Sequence, residues 1–205
     1  MIAILGGTFD PIHKGHIHIA SRIHERLPVE QVQFMPCAVP VHRAQPLASA
    51  EQRCAMVELE IDGDARFALN RMEIDRDTPS YTVDSLRQLH AAGYGEIVLV
   101  LGSDAYNGFG SWKQPEQVLD LAHLAVCLRP GTAAAPGAFD AHRVESVDAL
   151  RARSAGAILM LEVDAPDCAS RELRRRFAAG LPPDECVGAA VARYIETHQL
   201  YQQAL

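Results

Sequence analysis

Short apolar runs bounded by glycine, proline or polar residues alternate along the chain with longer stretches in which apolar side chains recur at helical spacing. The runs at 2–5, 32–35, 66–70, 96–101, 121–128 and 157–163 predict strands. Between the first two, Ile17, Ile19, Ala20, Ile23 and Leu27 keep helical spacing up to Pro28, which makes a β-α-β unit. A second amphipathic helix is predicted over 48–61, with Ala55, Met56 and Leu59 toward the core. Ser80 is expected to cap a helix running to about Ala92, and Ser170 one that carries Arg171, Arg174, Arg175 and Arg176; a last helix covers 187–198. Residues 132–156 are alanine-rich without a clear period, and are expected to form a variable connection with a short helix near 147–153. The run EIVLVL at 96–101 is of the type buried on both faces of a parallel sheet. The predicted class is therefore α/β: a doubly wound, Rossmann-like, mostly parallel sheet with helices on both faces.

Composition narrows the reading. A chain of 205 residues with 48% hydrophobic content suits one domain over 1–205, with a C-terminal helical part from about residue 170. No apolar run approaches the roughly 20 residues that span a bilayer, and the N-terminus lacks a signal layout, so a cytoplasmic location away from membranes is expected. The five cysteines, Cys37, Cys54, Cys127, Cys168 and Cys186, are odd in number and contain no C-x-x-C, which predicts reduced, mostly structural thiols. A net charge of −7 excludes a general nucleic-acid binder, which needs a basic footprint. A small anion needs only local positive charge, and this occurs at His13 to His16, at His42 and Arg43, and in the late arginine run.

The first turn carries the chemistry. An apolar run ends at Gly6 and Gly7, passes Thr8, Phe9, Asp10 and Pro11, and reaches His13, Lys14, Gly15 and His16 at a helix start. In an open parallel sheet this turn lies at the carboxyl end of a strand, where helix amides favour anions. Two imidazoles three residues apart can donate to phosphate oxygens; the same spacing suits a zinc pair or a plain helix start, and spacing alone does not choose. The P-loop and G-x-G-x-x-G patterns are absent, so phosphates would be held by histidines and amides. His42 and Arg43, in a loop leaving a strand, reach toward phosphate or stay solvated. Asp104, just past a central strand, suits a ribose hydroxyl. The lone Trp112 packs in the interior or stacks a flat ring.

The strings GGTFDPIHKGH at 6–16, PVHR at 40–43, PSYTVDSL at 79–86, LGSD at 101–104 followed by Trp112, RPG at 129–131 and VARYIETHQLY at 191–201 together resemble the bacterial nicotinate-nucleotide adenylyltransferases. These are members of the H-x-G-H nucleotidyltransferase superfamily. The resemblance spans nearly the whole chain and implies direct in-line adenylyl transfer from ATP, with Mg²⁺, to nicotinate mononucleotide in NAD biosynthesis. It implies catalytic roles for His13, His16 and Arg174. ATP contacts would come from Gly6, Gly7, Thr8, Phe9, Lys14, Gly15, Asp104 and Ser170, and mononucleotide contacts from His42, Arg43, Tyr81, Thr82 and Trp112. No metal held by protein side chains is implied. One departure stands out: the superfamily's late motif is commonly I-S-S-T-x-x-R, and here Ala169 takes the first serine position, Ser170 falls one place late and Arg174 matches. A pantetheine-phosphate type of transferase and a non-catalytic nucleotide-binding regulator are the alternatives, and a homo-oligomer is left open.

Overall fold

The computed structural model describes residues 1–38, 45–76, 78–129, 131, 137–182 and 185–202. Among them seven strands form one parallel sheet: β1 (Ile2–Gly7), β2 (Val32–Pro36), β3 (Phe67–Leu69), β4 (Ile97–Gly102), β5 (His123–Leu128), β6 (Arg143–Val144) and β7 (Ile158–Glu162). Their order is β3-β2-β1-β4-β5-β7-β6, and every pairing is parallel. The helices are α1 (Lys14–Arg26), α2 (Ala50–Ile61), α3 (Thr82–Ala91), α4 (Ser103–Asn107), α5 (Pro115–Leu121), α6 (Val147–Arg151), α7 (Ser170–Ala178) and α8 (Ala189–Thr197).

Strand alternation divides the core into two layers. Ala3, Leu5, Val98, Val100, Ala125 and Leu159 face one side, where they meet Ile23 of α1, Val57 of α2, Leu150 of α6, Leu173 of α7 and Ile195 of α8. Ile2, Ile4, Ile97, Leu99, Leu124 and Val126 face the other, against Leu86 and Leu89 of α3 and Val118 and Leu119 of α5. Burial on both faces is why these strands read as unbroken apolar runs.

Some local expectations shift. Helix α1 begins at Lys14, before the first periodic apolar residue. On α2 the buried stripe runs through Arg53, Cys54, Met56, Val57 and Ile61, while Leu59, on the opposite face, is 38% exposed and Ala55 only half-buried. The apolar stretch at 121–128 is divided: α5, with Pro115 in its first turn, ends at Leu121, and β5 starts at His123. Neither serine expected to cap a helix does so. Tyr81 precedes α3 while the Ser80 hydroxyl accepts the Ala38 N–H at 3.0 Å, and Ala169 precedes α7 with Ser170 as its first residue. The stretch 137–156 contains β6 as well as the expected short helix, α6.

The cysteine expectation is corrected. Cys168 and Cys186 form a disulfide across 18 positions of sequence, a pairing created by the packing of two late segments and invisible to motif spacing. Cys54 and Cys127 are buried thiols, and burial pushes both upward, Cys127 to about 12.

One buried histidine sets an acid limit on the fold. His123 is 0% exposed on β5, its Nδ1 accepts the Ala157 N–H at 3.2 Å, and burial holds the imidazole below its ordinary 6.5. Below that value the unfolded chain takes up a proton that the native state resists, so stability falls as pH drops. Urea unfolding at about pH 7 and about pH 5 is expected to show this loss, and His123→Gln to reduce it. An unchanged pH slope in the variant would remove His123 as the cause.

Candidate active site

Strand order reverses at β1 and β4: the chain proceeds from β1 outward through β2 and β3, then returns to β4 on the other flank. The carboxyl ends of these two strands therefore form a switch-point crevice. The β1–α1 turn and the β4–α4 junction open there, which brings His13, His16 and Asp104 to one edge of the sheet. Asp104 is exposed at the start of α4.

The turn has a defined shape. Phe9 adopts a left-handed φ of 50° and folds back, 2% exposed, between His16 and Phe34 at centroid distances of 5.0 and 5.7 Å. A Cβ at Gly7 would lie 2.8 Å from the Phe9 ring, so this fold-back needs glycine there. At Gly6 a Cβ would meet nothing within 4 Å, which leaves the backbone open to close approach. Thr8 is half-buried beside them.

His13 caps α1 and is 7% exposed; His16 stands one turn on, and the two rings stack at 3.7 Å. A Cβ at Gly15 would lie 3.0 Å from His13 Nδ1, so a larger residue there would press on this stack. The His13 N–H donates to His16 Nδ1 at 3.3 Å. Accepting that bond uses the Nδ1 lone pair and leaves Nε2 to carry the ring proton. Of the first-turn amides, that of Lys14 donates to the Cys186 carbonyl at 2.8 Å, so the helix start offers fewer open amides than its sequence suggests. The Lys14 side chain is exposed and lies near Glu60, which burial pushes up despite it.

Three residues to which the sequence reading gave no role, Asp10, Arg53 and Tyr201, hold this turn. Asp10, 4% exposed, accepts the N–H groups of Leu47 and Ala48 at 2.9 and 3.1 Å and the Tyr201 hydroxyl at 2.8 Å. Arg53, 1% exposed, donates to the Thr8 carbonyl at 2.8 Å and the Cys37 carbonyl at 2.7 Å. A lone arginine on the apolar stripe of α2 was the readable signal. From α7, Ser170 donates its hydroxyl to the Pro11 carbonyl at 3.0 Å and Arg174 donates to the Asp10 carbonyl at 2.6 Å, with its guanidinium 3.8 Å from the Asp10 carboxylate. Both late-motif residues thus converge on the same turn as the two histidines.

The second group also assembles. Lys113 sits 4.3 Å above the Tyr81 ring and donates to Asp84 at 2.8 Å, and Arg87 binds Gln114, so the Trp112 loop is tied to the start of α3 that carries Tyr81 and Thr82. Lys113 and Arg87 hold the Asp84 carboxyl below its ordinary value. Trp112 is half-buried, edge-on to Phe109 at 5.4 Å. His42 and Arg43 lie outside the described residues.

Known proteins resemble this chain over nearly its whole length. The cytidylyltransferase-like family matches residues 4–176. A protein of Yersinia enterocolitica named "probable nicotinate-nucleotide adenylyltransferase" is 37% identical over 98% of this chain and 96% of its own length. One of the same name from Hydrogenovibrio crunogenus is 39% identical, covering 98% of both. A solved structure of Plasmodium falciparum nicotinic acid mononucleotide adenylyltransferase complexed with NaAD, 17% identical, superposes with a TM-score of 0.74 over 98% of this chain and 97% of that one, a likeness of fold. With a sheet of this order, a histidine-bearing first turn and full-length relatives of one name, the chain belongs to the cytidylyltransferase-like family and, within it, to the nicotinate-nucleotide adenylyltransferases.

Proposed function

We propose that the chain transfers the adenylyl group of ATP to nicotinate mononucleotide, forming nicotinate adenine dinucleotide and releasing pyrophosphate. The observation that carries this reading is the stacked pair His13 and His16 at a helix start in the switch-point crevice. The attacking group is the mononucleotide's phosphate, whose second pKa near ~6 leaves it mostly ionised at neutral pH. No general base is needed, which agrees with Asp10 being fully engaged. The work is alignment and charge stabilisation at the α-phosphorus.

His16 donates through Nε2 to a phosphate oxygen, with His13 stacked beside it. Arg174 keeps further N–H donors after its bond to Asp10 and offsets charge on the leaving pyrophosphate. Gly6, Gly7, Thr8, Phe9, Lys14 and Gly15 line the ATP path, and Asp104 accepts from a ribose. Ser170 is reassigned from phosphate donor to anchor of the turn. His42 and Arg43 are retained for the mononucleotide's phosphate. Mg²⁺ fits as the counter-ion of ATP: the turn's carboxylate is taken by hydrogen-bond donors, and such ions bind mainly through substrate phosphates and water. It would neutralise phosphate charge there. Substrates of this kind suit a cytoplasmic enzyme, and among the described residues no helix is long and apolar enough to cross a membrane.

The pyridine ring is assigned to Tyr81, Thr82 and Trp112. A carboxylate only accepts hydrogen bonds, and the amides of Thr82 and Val83 precede the first bonds of α3, which run from the Asp84 and Ser85 N–H groups to the Tyr81 carbonyl, so these two favour the acid over the carboxamide. Pyrophosphate release is to be measured with ATP and, in turn, nicotinate mononucleotide, nicotinamide mononucleotide and phosphopantetheine. The expected kcat/KM for the acid exceeds that for the amide by at least roughly tenfold, about 1.4 kcal/mol. Trp112→Ala should weaken both and alter their ratio little. Equal use of both mononucleotides would sink the acid pocket, turnover of phosphopantetheine alone would favour the other transferase type, and silence with all three would indicate a regulator.

A further inference from the structure

The segment beyond α8 reaches the turn that carries the two histidines. After Thr197 the chain passes through two non-glycine residues with left-handed φ, Gln199 at 52° and Tyr201 at 68°. Such backbone is costly for ordinary side chains and persists where surrounding contacts dictate it. Here those contacts bury Tyr201 to 6% exposure, pack its ring 6.3 Å from Phe177 of α7, and bring its hydroxyl 2.8 Å from Asp10, a partner 191 positions away.

We propose that Tyr201 is a positioning residue: its hydroxyl latches the Asp10 carboxylate and so fixes the turn that carries Phe9, His13 and His16. This rests on the adenylyl-transfer reading. The Asp10 carboxylate lies where three separate parts of the chain meet, namely the entry to α2 through Leu47 and Ala48, α7 through Arg174, and the tail through Tyr201. The two amides fix its distance from α2, and the hydroxyl supplies the bond from the tail. Burial and the neighbouring Asp10 push the phenol upward, so it stays a donor through the working pH range. Without that bond Asp10 keeps its two amides and Arg174, so the fold survives while the turn gains freedom. The histidines act on charge that develops at the phosphates, so a small displacement lowers turnover more than ground-state binding.

Tyr201→Phe keeps the ring and removes one hydroxyl. Its expected kcat is roughly tenfold below wild type, with KM for ATP and nicotinate mononucleotide within about twofold. In an Asp10→Asn background, where the acceptor is already impaired, Tyr201→Phe should lower kcat by less than about twofold. Wild-type kcat in Tyr201→Phe, a loss confined to KM, or an undiminished tenfold loss in the Asp10→Asn background would each overturn the latch. Should Asp10→Asn not fold, the kcat and KM of the single variant decide. Wild-type enzyme is assayed first: silence there refutes the proposed reaction and not the latch. Hydrogen exchange at Leu47 and Ala48 then decides, with faster exchange in Tyr201→Phe supporting the latch and equal exchange refuting it.

Discussion

His16→Ala is expected to lower kcat by roughly 10² to 10³, the effect of removing one preorganised donor from developing charge. The tautomer makes the expectation specific. Because Nδ1 accepts the His13 N–H, the proton sits on Nε2, and alanine removes both the donor and the cap. Loss of the cap should cost about 1 kcal/mol of stability, a separate and smaller effect. His16→Gln divides the two: a glutamine at this helical position can accept the same backbone N–H, so stability should return while turnover does not. Measured kcat near wild type in either variant would remove His16 from the chemistry.

Reduction of the Cys168–Cys186 bridge should destabilise the fold by about 3 kcal/mol, the chain-entropy value for a loop of this length. On the scale of a 205-residue chain, that lowers the thermal midpoint by about 6–12 °C. Both cysteines are half-buried, within reach of a reductant, whereas Cys54 and Cys127 are enclosed. The bridge also borders the site. The Cys186 carbonyl holds the Lys14 amide, and the Cβ of Cys168 would lie 3.5 Å from one at Gly15. Ser170 and Arg174 fall within the closed loop, so turnover should decline with the midpoint. A Cys168→Ser, Cys186→Ser double variant should match reduced wild type and ignore reductant. A midpoint unmoved by reduction would show that packing alone holds α7.

What could be read in advance was what the chain states locally. The central strands announced themselves by burial on both faces, and the first turn by its glycines and histidines. Tyr81, Thr82 and Trp112 stand in separate stretches of sequence, and the fold ties those stretches together through Lys113 and Asp84. Interactions across the chain were not legible. Arg53 sits on an otherwise apolar stripe, and only the nearness of the Thr8 and Cys37 carbonyls explains it. Ser80 and Ser170 have the chemistry of helix caps, yet each spends its hydroxyl on another segment, Ala38 for one and Pro11 for the other. Strand β6 is two residues long, too short to show a period.

The single tryptophan gives the enzyme its own optical probe. Its indole, half-buried and edge-on to Phe109, lies in the loop that Lys113 and Arg87 tie to α3. With no other indole to dilute the signal, a mononucleotide ring stacking there as proposed would change the whole of the tryptophan emission. Occupancy of the proposed pyridine pocket would therefore be followed by fluorescence without ATP and without turnover, which separates recognition of the ring from transfer of the adenylyl group.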